Sequence, residues 1–441
     1  MVNKSFLFNV NKCVGCHACV VACTIENHTT PGLEWREITP FNPAGFPDIP
    51  LFHFSLACNH CKSAPCMKNC PALAYSMDEN TGAILHFAEK CIGCKYCTWA
   101  CPYDAPKFNP FKGIVEKCTF CNSRIEKSLK PSCANLCPTG ALDFIDQPED
   151  LNHKNIPGFT DAKIHPSIKI IPAEKNRPKL LCSEIQTESG MTEMKEPASK
   201  ISLSHEWPLA LFTLLAALMT SWFTSSVIDG LSVSPVLFII SGLAAIILSS
   251  FHLGKKARAW RSLLNIKNSW LSREILFFSA FFGSAGIYLL FYQNPFLSGF
   301  SILTGIAALF SIDRVYDLAL QPVKIKIHSA HVLLTGFLFF SVLSEHYYAF
   351  LLIALLKSVL YAYRKFKMNK VNKNPRLLLS GLRIDFLLSF PLIFWIFDFN
   401  PIKWLIFTSI LLGEMVDRFE YYNELDIITP EKQIYKDYNI E

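Results

Sequence analysis

Two rhythms of apolar and polar positions divide this chain of 441 residues. Up to about residue 182, apolar side chains come in short alternating runs, as in "GFPDIPLFHFSLAC" and "TGAILHFAEK", punctuated by turn residues. Alternation with period two predicts short, half-buried strands joined by turns. After residue 204 the alternation stops and eight long apolar stretches follow: Trp207–Ile228, Val236–Leu253, Ile275–Tyr292, Phe296–Ile312, Ile327–Leu343, Tyr348–Tyr363, Leu377–Phe397 and Ile402–Met415. Each is near the length that crosses a bilayer as a helix. Between the halves, residues 183–204, "SEIQTESGMTEMKEPASKISLS", are polar and without period, and read as a linker. The expected organisation is a first domain over 1–182, the linker, a helical membrane part over 205–425 and a polar tail over 426–441.

Composition sharpens the division. The chain is 51% hydrophobic and 18% charged, values that lean towards a membrane protein. Of its 17 cysteines, all but Cys182 precede residue 138. Cys182 is expected to be an inert thiol. The net charge of +6 is modest, and no basic block interleaved with aromatics occurs before residue 250, so a nucleic-acid partner is not expected. The opening "MVNKSFLFNVNKCVGC" has neither an apolar targeting core nor twin arginines. If the first domain crosses a membrane, the expectation is that a partner carries it.

The other sixteen cysteines form four quartets. Cys13, Cys16, Cys19 and Cys23 have the spacing C-x2-C-x2-C-x3-C, which Cys91, Cys94, Cys97 and Cys101 repeat. Cys58, Cys61, Cys66 and Cys70 widen the middle gap to four residues, and Cys118, Cys121, Cys133 and Cys137 widen it to eleven. Three quartets end in Cys-Pro. Three thiolates on a tight loop can wrap one iron–sulfur cube, while a fourth on the following helix points towards a neighbouring one. Structural zinc takes two C-x2-C pairs and needs neither the fourth Cys nor the proline. A disulfide frame belongs to small secreted domains. The quartets therefore predict four 4Fe–4S clusters in an α+β, ferredoxin-like domain, one that moves electrons and has no nucleophile of its own. The fold class is a multidomain chain: this polyferredoxin followed by an all-α bundle of eight transmembrane helices.

Loop charges orient that bundle. Lys255, Lys256, Arg258, Arg261, Lys267 and Arg273 follow the second stretch; Arg314, Lys324 and Lys326 follow the fourth; Arg364, Lys365, Lys367, Lys370, Lys373 and Arg376 follow the sixth. The opposite loops carry only Lys403. Basic loops face the cytoplasm, which places the cluster domain there; docking of that domain on the same loops is the alternative. Lys357, Arg383, Asp385, Glu414 and Arg418 fall inside or at the ends of apolar stretches. They read first as structural ion pairs and second as a proton path.

"FHLGKKARAWRSLLNIKNSWLSREIL" (251–276) and "GEMVDRFEYY" (413–422) resemble the membrane anchor subunit of the dimethyl sulfoxide reductase family. The first half resembles that family's four-cluster electron-transfer subunit, so the chain reads as a natural fusion of the two. The resemblance implies that quartets two and three exchange their fourth cysteines, and that one and four do likewise. In some relatives a Trp replaces one Cys of the third quartet, so Cys94 implies a complete cube. It further implies menaquinol oxidation by an anchor without haem, at a site matched by His252, Arg258 and Glu274. The reductase chemistry would sit on a separate molybdopterin (bis-MGD) subunit. One b haem, held by His252 with His328 or His331, is the competing cofactor. The competing functions are the same hardware run in reverse, feeding quinone, and a membrane-bound iron–sulfur sensor. The family's outward-facing members stand against the cytoplasmic placement, which would suit a cytoplasmic reductase partner.

Overall fold

The computed structural model describes residues 4–41, 52–148, 151, 153, 156, 158–173, 201, 203–317, 325–369, 377–389, 391, 403–425 and 427–437. Cys182, the expected linker up to residue 200, residues 318–324 and 370–376 with their basic side chains, and the end of the seventh apolar stretch lie outside the described residues. The chain forms two compact units, Met1–Ala198 with Ile427–Glu441, and Ser199–Asp426.

The first unit is the expected α+β arrangement. Strand β1 (Lys4–Asn9) is followed by helix α1 (Ala18–Asn27) and the hairpin of β2 (Glu37–Phe41) and β3 (Phe52–Leu56). Then come α2 (Pro65–Lys68), the hairpin of β4 (Tyr75–Met77) and β5 (Ile84–His86), and α3 (Tyr96–Ala100). A third hairpin, β6 (Lys107–Asn109) with β7 (Ile114–Glu116), precedes α4 (Asn122–Ile125), α5 (Ser132–Asn135), β8 (Leu142–Asp146) and β9 (Ile168–Ile171). The first strand closes the unit by pairing antiparallel with β8, Phe6 opposite Phe144, and parallel with β9, Phe6 opposite Ile168. Alternation puts Phe6 and Phe8 inside. The Phe6 ring meets Phe120 and Phe144 edge-on at 5.1 and 5.6 Å, an aromatic arrangement that suits the ring quadrupoles.

The second unit is helical: α6 (Leu203–Ile228), α7 (Pro235–Phe251), α8 (Trp270–Leu290), α9 (Pro295–Tyr316), α10 (Val332–Leu343), α11 (Tyr347–Asn369), α12 (Leu377–Ile384) and α13 (Lys403–Glu424). Among the described residues α6, α8 and α9 are long and apolar enough to cross a membrane alone. A fourth crossing arises if α7 counts with the tight turn Lys256–Leu263, into which it bends by 101°. The 26 residues of α6 make a rod about 39 Å long, more than the hydrocarbon thickness. Small residues let the helices approach: a Cβ on Gly242 of α7 would collide with the Phe282 ring of α8.

Several boundaries differ from the pattern: α6 and α8 begin earlier, at Leu203 and Trp270, and α9 and α11 end later, at Tyr316 and Asn369. The fifth helix starts at Val332 rather than Ile327, because Asp313 of α9 accepts the Val332 and Leu333 amides at 2.6 and 3.1 Å and caps it there. The last helix runs on to Glu424 because its charges find partners inside the bundle. The tail also folds. Helix α14 (Pro430–Asp437) belongs to the first unit, with Ile434 packed over Gly158, Gly158 N–H donating to Asp437 Oδ2 at 2.7 Å, and Thr160 Oγ1 donating to Gln433 at 3.3 Å. The tail's polar composition hid this because Ile434 is a single apolar anchor among contacts that are otherwise polar.

Candidate functional site: cluster cradles and a polar bundle end

Each cradle begins with the same backbone device. The third residue of the first C-x2-C step in each quartet has positive φ: Gly15 at 68°, His60 at 42°, Gly93 at 70° and Phe120 at 65°. That left-handed turn aims an N–H back at the first sulfur, 3.4 Å from Gly93 N to Cys91 Sγ and 3.3 Å from Phe120 N to Cys118 Sγ. Glycine is required at 15, where a Cβ would strike the His53 ring. At 60 and 120 the strained residues are aromatic instead, and their rings stack on each other at 4.1 Å. Their packing offsets the cost of the turn.

The thiols group by space, not by sequence. Cys58, Cys61 and Cys66 line one cavity together with Cys101. Cys91, Cys94 and Cys97 line another together with Cys70. Cys13 interacts with Cys16, Cys19 and Cys137, whereas Cys23 lies with Cys118, Cys121 and Cys133. Fourth cysteines are thus exchanged between quartets two and three and between one and four, the pairing the resemblance implies. Among the described residues no three thiol, imidazole or carboxylate groups converge tightly enough for a single ion, whereas two of the cysteine sets each surround a common space.

Further donors face the sulfurs. Ala74 N reaches Cys70 at 3.3 Å, Leu142 N reaches Cys137 at 3.4 Å, and Asn27 Nδ2 points at Cys23 and Cys121 from 3.7 and 3.8 Å. Burial, reinforced by the neighbouring Cys133, pushes the Cys23 thiol up to about 12. Burial raises Cys61, Cys66, Cys94, Cys97 and Cys118 as well. Thiolates so far from water need the positive charge of bound iron, so the donor set fits iron–sulfur clusters.

In the second unit, buried polar groups collect at one end of the bundle. Glu274, in the second turn of α8, is buried, and among the described residues its carboxylate makes no hydrogen bond or ion pair. It lies within electrostatic reach of Tyr316, the last residue of α9, whose hydroxyl is hydrogen-bonded to Tyr422 of α13. Arg418, also buried, acts on both tyrosines, and its Nε and Nη2 have no hydrogen-bond partner among the described residues. His328 stacks on Tyr421 at 4.3 Å and on His331 at 4.2 Å. Both nitrogens of His331 are engaged, Nε2 with the Lys326 carbonyl at 3.0 Å and Nδ1 with Asp313 at 3.2 Å, which leaves neither for an axial haem bond.

Beside this end runs a ladder of ion pairs. Glu414 meets Lys357 at 2.9 Å and Arg383 at 2.7 Å; Asp417 meets Arg364 at 2.8 Å and Arg383 at 3.3 Å. Arg364 also reaches Glu424 at 3.0 Å, and Lys365 reaches Glu420 at 3.0 Å. Three of the four acids recur every third residue of α13 (414, 417, 420), which puts them on one helical face.

Comparison with known proteins decides between the families that such parts could serve. Residues 49–147 match a 4Fe–4S dicluster domain family, and residues 202–371 match the dimethyl sulfoxide reductase anchor subunit family. One of the polypeptides of the anaerobic dimethyl sulfoxide reductase of Escherichia coli is 35% identical over 147 residues, 32% of this chain and 71% of that protein. A subunit of the sulfite dehydrogenase of Allochromatium vinosum is 35% identical over 167 residues, 33% of this chain and 70% of its own. A thiosulfate reductase electron transfer subunit of Salmonella typhi is 37% identical over 142 residues, 31% of this chain and 73% of its own. The protein belongs to the dimethyl sulfoxide reductase family. It joins that family's iron–sulfur electron-transfer subunit and its anchor subunit in one polypeptide, and so is the electron-transfer and membrane part of an oxidoreductase whose catalytic partner is a molybdoenzyme.

Within this fused subunit, the three residues matched to a quinol site fall in one region of the second unit. His252 ends α7, Arg258 sits in the turn Lys256–Leu263, and that turn packs on α8, which carries Glu274. Sequence reasoning passed over Tyr316 and Tyr422, as well as Asp417, Glu420 and Glu424 of the ladder, and it took Arg364 and Lys365 for loop charges, whereas both lie in α11 and pair with those acids. A signal was present: "GEMVDRFEYYNE" sets acids at helical spacing opposite the basic "YRK" that ends the sixth stretch. Arg383 pairs with Glu414 and Asp417 of another helix, a partnership its neighbour Asp385 in sequence had obscured.

Proposed function

We propose that this subunit oxidises menaquinol in the polar end of its second unit and passes the electrons through four 4Fe–4S clusters to a bis-MGD molybdenum subunit. The observation that carries the reading is Glu274. A buried carboxylate with no cation or donor of its own is costly unless something else uses it. A quinol must lose two protons with its two electrons, and a carboxylate shielded from water is a suitable first acceptor for a hydroxyl proton. In this reading His252 is the second proton acceptor, and Arg258 is the cation that steadies the ring oxygen as it loses its proton. The bonded pair Tyr316 and Tyr422 offers hydroxyls through which a proton leaves Glu274.

Clusters in the four cradles, held by Cys13, Cys16, Cys19 and Cys137, by Cys23, Cys118, Cys121 and Cys133, by Cys58, Cys61, Cys66 and Cys101, and by Cys70, Cys91, Cys94 and Cys97, would supply one-electron acceptors in series. The chain's own part is to bury the thiols, aim N–H groups at them and keep water out.

Eight crossings remain part of the proposal. Its support is that the segments before α6 and after α13 belong to one compact unit, which requires an even number of passes. The basic residues in the turn after α7 and in the last turns of α9 and α11 favour a cytoplasmic cluster unit. Oxidation of a menaquinol analogue by purified complex tests the function. Wild type should reduce its clusters within one turnover, and Glu274→Gln should slow that step at least a hundredfold while the clusters remain reducible by dithionite. Unchanged quinol oxidation in Glu274→Gln would remove the argument.

A further inference from the structure

Arg36 stands just before β2, in "EWREITPF", and is among the largest fully buried side chains of the molecule, 1% exposed. Its Nη1 donates to Ser55 Oγ at 3.1 Å, and its guanidinium lies 4.9 Å over the Phe6 ring. Neither contact neutralises a charge. Among the described residues no carboxylate pairs with Arg36, whereas Arg124, Lys107, Lys112 and Lys130 of the same unit all have one. An isolated buried cation is expensive, so its compensation must be sought elsewhere.

The negative groups it faces are sulfurs. Cys133, Cys19, Cys118 and Cys23 are its electrostatic neighbours, Cys133 foremost. Cys19 belongs to one cradle; Cys23, Cys118 and Cys133 belong to the next. Ser55, which holds the guanidinium, is itself 3.7 Å from Cys19 Sγ. Arg36 is therefore wedged between two cradles and has cluster sulfur where an arginine ordinarily has carboxylate.

We propose that Arg36 is a charge-compensating residue that raises the reduction potentials of the two clusters flanking it, most of all the one held by Cys23, Cys118, Cys121 and Cys133. The proposal rests on the cluster reading above. A cube bound by four thiolates is anionic and gains one more negative charge on reduction. A fixed cation in a low-dielectric interior attracts the reduced form more than the oxidised form, and so favours electron uptake. The effect is to keep these clusters from becoming a high barrier in the electron file.

The test is a redox titration of the anaerobically purified complex followed by electron paramagnetic resonance, comparing wild type with Arg36→Gln, Arg36→Met and Arg36→Lys. Neutral replacement should make one cluster harder to reduce by at least tenfold in equilibrium constant, a shift of about 59 mV to lower potential for one electron. The lysine variant should shift less, and Lys130→Gln, which removes an exposed charge, should shift nothing. Unmoved midpoints in both neutral variants with iron retained would overturn the proposal. Loss of iron in the neutral variants but not in Arg36→Lys would support it, because charge is then what holds the thiolates. Loss in all three would overturn it in favour of a role for shape alone. A wild-type iron content too low for four clusters would instead indict the cluster reading.

Discussion

Asp417→Asn perturbs the bundle with the least change of shape. The carboxylate is fully buried, accepts from Ser329 Oγ at 2.9 Å, and lies 2.8 Å from Arg364 and 3.3 Å from Arg383. The amide can still accept from Ser329, so the loss is electrostatic. Arg383 keeps Glu414 at 2.7 Å and Arg364 keeps Glu424 at 3.0 Å, yet two buried guanidinium groups now share one fewer anion. Removing one partner of a buried pair costs about 3–5 kcal/mol, because the remaining charge stays desolvated. At about 1.4 kcal/mol per tenfold, that lowers the folding equilibrium constant by at least roughly a hundredfold. Unfolding of the detergent-solubilised chain in increasing denaturing detergent, followed by tryptophan fluorescence, measures the shift. The double change Asp417→Leu with Arg364→Leu should cost less than the two single changes together, since it removes both charges. A loss under about 1 kcal/mol for Asp417→Asn would place the ladder among weak surface-like pairs and refute the reasoning.

Other expectations are independent of the ladder. Exchange of fourth cysteines predicts that Cys23→Ser disturbs the same cluster signal as Cys121→Ser and leaves the signal lost in Cys16→Ser intact; paramagnetic resonance of the reduced protein distinguishes the two. Cys94→Ser should cost one iron of its cube, so the oxidised spectrum should gain a three-iron signal. On the tail helix, burial and the carboxylates of Glu37 and Asp104 hold Glu431 above the usual carboxylate range, against the pull of Lys432. Its protonated form is then favoured when the tail is docked, so docking should tighten as pH falls through that raised value and loosen above it. Hydrogen exchange over 430–437, corrected for intrinsic rates, should show this, and Glu431→Gln should flatten the dependence.

The quartets were legible because cluster chemistry fixes spacing: thiols two residues apart on a tight turn leave a signature no packing requirement imitates. The exchange of Cys70 with Cys101, and of Cys23 with Cys137, was not in the spacing and came from the resemblance. It depends on which loops face each other, and that is set by pairs such as Phe6 with Phe144 and His60 with Phe120, far apart in the chain. Gly15 and Gly93 hold left-handed turns that glycine adopts freely, whereas His60 and Phe120 hold the same backbone without glycine, through a stacking contact that sequence does not display. In the membrane half, hydropathy located the helices and missed their ends, because it counts a charge as a cost whether or not it is paired. Glu414, Asp417, Glu420 and Glu424 lowered the apparent length of the last stretch, yet each has a cation waiting on another helix.

The same logic explains why Glu274 and Arg36 carry the two functional arguments. Several other deeply buried charges in the described chain are matched: Lys357 with Glu414, Arg364 with Asp417, Arg383 with both acids. A carboxylate in a helix bundle and a guanidinium in a cysteine-lined core, neither with an ion-pair partner among the described residues, are costly unless they have a use. On the proposals above, the counter-charge of Arg36 is an anionic cluster, and Glu274 is neutralised by a proton from the quinol. If Arg36→Met and Glu274→Gln both proved stabilising with electron transfer intact, the shared premise that unpaired buried charges mark the redox route would fail at both ends at once.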